Sequence, residues 1–220
     1  MAKSLAVVMS SGGLRSVVCM GLAVRDHRVA AVHMADARAT AEAAFAAFQQ
    51  QVEHFKPVKW WKMDCGYLKQ MLVPAESAAV LGSTGSDIQA PLVPYRELQM
   101  LSVAAGLARQ VRAPVIFWGV QVEPKNTNAL ARVVETVQLF SQLLEVLAPD
   151  GPITVQTPLL GLQDQQLIEL GHQIQAPFNA SWTCQTQNQK PCQSCPACSR
   201  RVRAFRAAQL VDPLVDGKRP

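Results

Sequence analysis

The run Leu5-Ala6-Val7-Val8-Met9 carries no polar side chain, and a strand written that way must be covered on both faces. Further strand-like stretches, less uniformly apolar, recur at Arg28–Met34, Val58–Met63, Pro114–Gly119 and Ile153–Gln156, each separated from the next by a stretch long enough for a helix. That alternation predicts an α/β fold, a doubly wound five-stranded parallel sheet with helices on both faces. Helices are predicted over Leu14–Val24, Ala39–Phe55, Glu97–Gln110, Ala129–Leu147, Asp164–Leu170 (with Asp164 as cap) and Pro196–Ala208. In the second of these, Phe45, Phe48, Val52 and Phe55 fall at spacings of three and four and define one buried stripe. Between Val73 and Tyr95 the turn formers Pro74, Gly82, Gly85, Pro91 and Pro94 predict a long loop, of the kind that is usually functional or disordered. The 220 residues are 49% hydrophobic, enough for a substantial core, yet no apolar run is long enough to predict a membrane-spanning helix.

The second constraint lies near the end of the chain. Cys184, Cys192, Cys195 and Cys198 have the spacing C-x7-C-x2-C-x2-C, which lets four sulfurs converge on one tetrahedral ion. Disulfides would need an oxidising compartment, and no export signal precedes the first strand, so reduced thiols and a cytoplasmic location are expected. Structural zinc is the favoured occupant, with an iron–sulfur cluster as the competitor, because C-x2-C-x2-C also serves such clusters. Cys19 and Cys65 stand at no metal spacing and read as buried apolar residues. The net charge of +5 owes much to Arg200, Arg201, Arg203 and Arg206, which follow the cysteines. Four thiolates around zinc leave a local charge of about −2, so these arginines are expected to offset it; a nucleic-acid partner is the less favoured reading. The natural division is 1–175 as a nucleotide-binding domain and 176–220 as a zinc module with a closing helix.

A third feature follows the first strand, which runs directly into Ser10-Ser11-Gly12-Gly13-Leu14-Arg15-Ser16. A buried strand that turns through small residues into a helix presents backbone N–H groups and a helix N-terminus to an anion. Glycines also occur at such junctions for steric reasons alone, and neither G-x-G-x-x-G nor a Walker lysine is present. No histidine among His27, His33, His54 and His172 lies at metal spacing. Trp60, Trp61 and Trp118 are expected in the core or a pocket wall, and Trp182 against the metal module.

Taken together, the S-G-G-x-x-S turn and the C-x2-C-x2-C followed by arginine resemble the 7-cyano-7-deazaguanine synthase family. Its members are N-type ATP pyrophosphatases with an adenine-nucleotide α-hydrolase-like fold. Intermediate landmarks agree in order. Val93-Pro94-Tyr95-Arg96-Glu97 is similar to the family's Val-Pro-Gly-Arg-Asn, Trp118-Gly119-Val120 to Thr-Gly-Val, and Ser181-Trp182-Thr183-Cys184 to Thr-Trp-Ser-Cys; Thr157-Pro158-Leu159 resembles its Thr-Pro-Leu step. The resemblance implies ATP-dependent conversion of 7-carboxy-7-deazaguanine and ammonia to a nitrile, with ATP and Mg²⁺, structural zinc, a deazapurine substrate and a two-fold homodimer. It assigns Ser10, Ser11, Gly12, Gly13, Leu14 and Ser16 to the phosphate cradle and Arg96 to a place beside the nucleotide.

Departures fall where the chemistry should be. Arg15 replaces the family's loop aspartate, exchanging a carboxylate that can organise Mg²⁺ for a fixed cation. Tyr95 and Glu97 replace Gly and Asn. Met34-Ala35-Asp36-Ala37 stands for Asp-Tyr-Gly-Gln, and Asn128-Ala129-Leu130-Ala131-Arg132 for Tyr-Pro-Asp-Cys-Arg, so that only Arg132 survives there. Arg15, Arg96 and Arg132 are the candidate catalytic residues. The alternative to an active ligase is a homologue that keeps fold and zinc for binding or regulation; a tRNA-thiolating relative is disfavoured because its catalytic cysteine pairs are missing.

Overall fold

In the computed structural model the described residues are 3–35, 40–67, 93–147, 151–186 and 190–215. Most of the predicted 73–95 loop, and Asp36-Ala37, lie outside them. The strands β1 (Leu5–Met9), β2 (Arg28–Ala35), β3 (Lys59–Asp64), β4 (Val115–Trp118) and β5 (Thr154–Gln156) form one parallel sheet of order β3-β2-β1-β4-β5. Helices α1 (Leu14–Asp26), α2 (Ala41–Phe55), α3 (Val93–Gln110), α4 (Thr127–Leu147), α5 (Asp164–Gln173) and α6 (Pro196–Ala207) cover it.

Period-two alternation along the central strand divides the interior in two. Ala6 and Val8 join Val17, Val18 and Met20 of α1, Phe48 of α2, Ile168 of α5 and Phe205 of α6 on one face. Val7 and Met9 meet Leu101 and Ala104 of α3 and Phe140 and Leu144 of α4 on the other. Burying a side chain as large as Phe48 or Phe205 contributes about 2–3 kcal/mol of transfer free energy. The chain extends outward from β1 through β2 to β3, then returns to place β4 on β1's other side. Such a reversal opens a crevice at the carboxyl ends of β1 and β4, where sheets of this type bind ligands.

Several boundaries differ from expectation for local reasons. Helix α3 starts at Val93, so Val93-Pro94-Tyr95 are helical, since a proline in the first turn gives up no intrahelical hydrogen bond. Helix α4 starts at Thr127, because Asn126 Oδ1 accepts from the Ala129 N–H at 3.2 Å and caps the turn. On α5 the capping residue is Gln163, whose N–H donates to Gln166 Oε1 at 2.8 Å; Asp164 is the first helical residue, and its side chain goes elsewhere. Trp60, expected in the core or a pocket wall, stacks edge-on to Phe48 with ring centroids 5.9 Å apart, yet remains 43% exposed because β3 is the sheet's edge.

Candidate nucleotide and metal site

Beyond Met9 the ladder continues for one more bond, Ser10 N–H to Val32 O at 2.8 Å, and the chain then turns. Gly12 adopts φ +75°, and a Cβ there would lie 2.0 Å from Ala44 O of α2. Only glycine accommodates both the left-handed backbone and that approach. The loop is braced from within. Ser11 N–H donates to Ser16 Oγ at 2.9 Å, the Ser11 and Ser16 hydroxyls lie 3.0 Å apart, and Gly12 N–H reaches Ser10 Oγ at 3.3 Å. Gly13 is the N-cap of α1 with an extended backbone (φ −86°, ψ 176°), and no side chain caps the helix. The first turn thus presents its N–H groups beside the exposed Arg15, as an anion cradle requires.

Three neighbours hold the loop from outside. His33 Nδ1 lies 3.0 Å from Ser10 O, Ser10 Oγ donates to Gln51 Oε1 at 2.8 Å, and Trp182 N–H donates to Gly12 O at 2.9 Å. Neither His33 nor Gln51 was foreseen. The available signal was Gln51's place three residues after Phe48, a polar group on the buried stripe of α2.

The opposite wall comes from the segment after β4 and the start of α5. Gln121 Nε2 donates to Leu162 O at 3.0 Å and to Asp164 Oδ1 at 3.2 Å. Arg200 of α6 grips both Asp164 oxygens, Nε to Oδ2 and Nη2 to Oδ1, each at 2.6 Å. A cavity of about 370 Å³ opens here, lined by Glu123, Lys125, Gln163, Asp164, Arg203 and Ala204. Partial burial would raise the Asp164 pKa, but hydrogen bonds and charge from Arg200, with help from Gln121 and the nearby Arg15 guanidinium, hold it below the ordinary value. The structure therefore brings Arg15 to the same charged cluster as Asp164 and Arg200. Arg96 sits in the first turn of α3, where Nη2 donates to Glu97 Oε1 at 2.9 Å, and Arg132 is exposed on the first half of α4.

The sulfurs of Cys184, Cys192, Cys195 and Cys198 all lie within 4.8 Å of one another, and Cys192 and Cys198 Sγ are 4.0 Å apart. Zinc–sulfur bonds of about 2.3 Å in a tetrahedron require sulfurs roughly 3.8 Å apart, so this donor set fits zinc. Backbone N–H groups point at the sulfurs, from Cys192 to Cys184, Cys195 to Cys192 and Cys198 to Cys195, at 3.3, 3.3 and 3.4 Å. Donors of this kind, chiefly the Cys195 and Ser194 N–H groups, pull the Cys192 thiol down to about 5. Burial pushes Cys198 up to about 12 before any metal is bound. Cys19 and Cys65 are buried, and burial likewise pushes Cys19 up to about 12.

Arg200 and Arg201 do not turn to the thiolates as the sequence suggested; each is committed to a carboxylate. Arg201 and Asp212, 3% and 4% exposed, pair through Nε–Oδ2 at 2.7 Å and Nη2–Oδ1 at 2.9 Å. Specific carboxylates with fork geometry outcompete a diffuse negative field.

A parallel five-stranded sheet with a serine–glycine loop at its switch point has the adenine-nucleotide α-hydrolase-like fold, here joined to a four-cysteine cluster able to hold a metal ion. Solved structures agree on the fold. NMN synthetase from Francisella tularensis superposes with a TM-score of 0.50 at 14% identity, covering 96% of this chain and 88% of that one. The U34-tRNA thiolase NcsA from Methanococcus maripaludis gives 0.52 at 11% identity, over 93% of this chain and 65% of the thiolase. At these identities the likeness speaks for the fold alone.

Sequence comparison narrows the class. Residues 5–209 match the family described as "Queuosine biosynthesis protein QueC", and the chain belongs to that family. The 7-cyano-7-deazaguanine synthase of Acidobacterium capsulatum is 29% identical over 95% of each chain. That of Chlorobium limicola is 29% identical over 98% of each. Among the described residues, no helix is long and apolar enough to cross a membrane.

Proposed function

We propose that this protein binds ATP at the loop after β1 and uses it to convert 7-carboxy-7-deazaguanine and ammonia to the corresponding nitrile. The observation that carries the reading is the family match over residues 5–209, supported by a glycine loop at the carboxyl end of β1. In this reaction the substrate carboxylate attacks the α-phosphorus of ATP and releases pyrophosphate. Ammonia then displaces AMP from the acyl adenylate to leave an amide. The amide oxygen then attacks the α-phosphorus of a second ATP, releasing a second pyrophosphate and a proton from nitrogen, and loss of AMP with the remaining N–H proton gives the nitrile. The chain's task is to hold negative charge on the departing pyrophosphate.

Ser11, Gly12, Gly13 and Ser16, flanked by Ser10 and Leu14, supply the cradle, and Arg15 places a guanidinium at its rim. Arg96 is assigned to the nucleotide and Arg132 to the substrate side. Among the described residues, the carboxylate nearest in charge to this loop does not fit Mg²⁺. Asp164, which feels the Arg15 charge, has one oxygen engaged by Arg200 and the other by Arg200 and Gln121. Arg15 is the positive charge this chain offers there. At the four-cysteine centre zinc would be structural, holding Cys184 to the start of α6.

The same charge reversal favours a second reading, a homologue that keeps fold and zinc but no longer ligates. Mass spectrometry of zinc-loaded protein incubated with Mg–ATP, 7-carboxy-7-deazaguanine and ammonium, beside an active relative, separates the two. AMP with amide or nitrile is the expected outcome. Neither product from folded, zinc-replete protein would leave the second reading.

A further inference from the structure

The segment from Phe178 to Cys184 touches both the metal centre and the loop, and its attachments form one connected series. At one end Cys184 is a ligand of the four-cysteine cluster. On α6, Cys198, Arg201 and Phe205 share a face at spacings of three and four, and the Arg201 guanidinium lies over the Phe205 ring, 5.2 Å from its centroid. From there Nη1 donates to Ser181 Oγ at 2.7 Å and Nη2 to Phe178 O at 3.1 Å, while Ser181 Oγ donates to Phe178 O at 2.6 Å. One residue before Ser181, Ala180 O accepts from Gln51 Nε2 at 2.8 Å. The other end of that amide, Oε1, accepts from Ser10 Oγ at 2.8 Å, and Ser10 Oγ in turn accepts from Gly12 N–H at 3.3 Å. One residue after Ser181, Trp182 N–H donates to Gly12 O at 2.9 Å. Segment and glycine loop are thus joined by hydrogen bonds of 2.8–3.3 Å, and the segment is tied to the cysteine cluster through Cys184 and, by way of Arg201, to the helix that carries Cys198.

Gln51 is the informative member. It is 0% exposed, on a helix whose other inward residues are apolar. Burying a primary amide costs free energy unless both ends are satisfied, and an aliphatic side chain would fill the same space without that requirement. Its two ends are satisfied by two different regions, the loop and the segment leading to Cys184. A residue needed only for packing has no reason to join them.

We propose that Gln51 and Arg201 are positioning residues through which the four-cysteine centre sets the shape of the glycine loop. Metal binding fixes Cys184 against α6, Arg201 fixes Ser181 and Phe178, and Gln51 with Trp182 passes that constraint to Ser10 and Gly12. Metal loss releases the segment and so loosens the cradle. This goes beyond the reaction assigned above and holds for an active ligase and a non-catalytic homologue alike.

The test is hydrogen–deuterium exchange, followed by mass spectrometry, on the full zinc-loaded chain, reading peptides over residues 10–16 and 178–184. Gln51→Leu is expected to keep its full zinc content and to speed exchange in the loop about fivefold, while β5 and α4 stay at wild-type rates. Removing zinc from the wild type is expected to speed both peptides. In Gln51→Leu, zinc removal should still free the 178–184 peptide but add much less at the loop, where of the segment's contacts only that of Trp182 remains. Loop exchange at the wild-type rate in zinc-loaded Gln51→Leu overturns the proposal, and that arm decides even if stripped protein unfolds. Equal loop responses to zinc removal in wild type and variant also overturn it.

Discussion

The two ends of the chain meet in space, yet they have kept different things. At the four-cysteine centre every ligand is present and the sulfurs stand close to the spacing a tetrahedral ion requires. At the glycine loop the shape rests on Gly12 and a pair of serines, while Arg15 stands where the resemblance would place an acid. Shape there depends on backbone and packing, on Gly12 under Ala44 and on the Ser11–Ser16 contact, none of which involves the side chain at position 15. Arg15 is exposed, so replacing it costs the fold little. A metal centre has no such freedom, because each ligand is both its shape and its chemistry. The charge at the loop's rim can therefore change without the bonds that shape it, whereas losing one thiolate takes away part of the metal centre's geometry as well as its chemistry.

The largest expected effect comes from breaking the kept end. Cys198→Ser should abolish stoichiometric zinc binding and lower the melting temperature by on the order of 10 °C. Metal analysis with calorimetry checks this; one equivalent of zinc and an unchanged melt would show that the centre is dispensable. Next comes the buried pair beside it. Asp212→Ala leaves the Arg201 guanidinium uncompensated in a site where both partners are at least 96% buried, and should cost about 3–5 kcal/mol in denaturant unfolding. Arg201→Met with Asp212→Leu should cost less than either single change, since the pair's removal also removes its desolvation penalty. At the loop, Gly12→Ala places a methyl against Ala44 O and forces φ +75° on a residue with a Cβ. A loss of about 2–3 kcal/mol is expected, together with a displaced loop visible in amide chemical shifts.

Much of this was legible in the sequence. The apolar runs marked the three central strands, because a strand buried on both faces has no polar alternation to conceal it, while the edge strands β3 and β5 were placed by their position in the strand–helix alternation. The cysteine spacing marked the metal module, since ligand geometry is local. What escaped was non-local. Asp164 looked like a helix cap, but it is the partner of Arg200, 36 residues away, and Gln51 meets Ala180 across 129 residues. Arg201 looked like a neighbour of the thiolates, but it serves Asp212, 11 residues further on. Pairings of this kind follow from the tertiary path rather than from spacing. Only an out-of-place polarity, such as a glutamine on an apolar stripe, hints at them.

The smallest expected effect probes the boundary between the two ends. Asp164→Asn removes the charge that Arg200 grips and that Arg15 faces. With Arg200's side chain half exposed, water and salt screen the pair, and its loss should cost about 0.5–1 kcal/mol at pH 7, or roughly 2 °C in the melting temperature. The acid dependence is more telling. Asp164 titrates below the unfolded carboxylate value of about 3.9, so its contribution is complete above that pH and disappears as pH falls through the lowered folded value. Wild type and Asp164→Asn should therefore differ at pH 7, and the gap should narrow as pH falls below the unfolded value. A difference that stays constant as acid is added would place the effect in packing rather than charge, and the second wall of the crevice would then be held by shape, as the loop is.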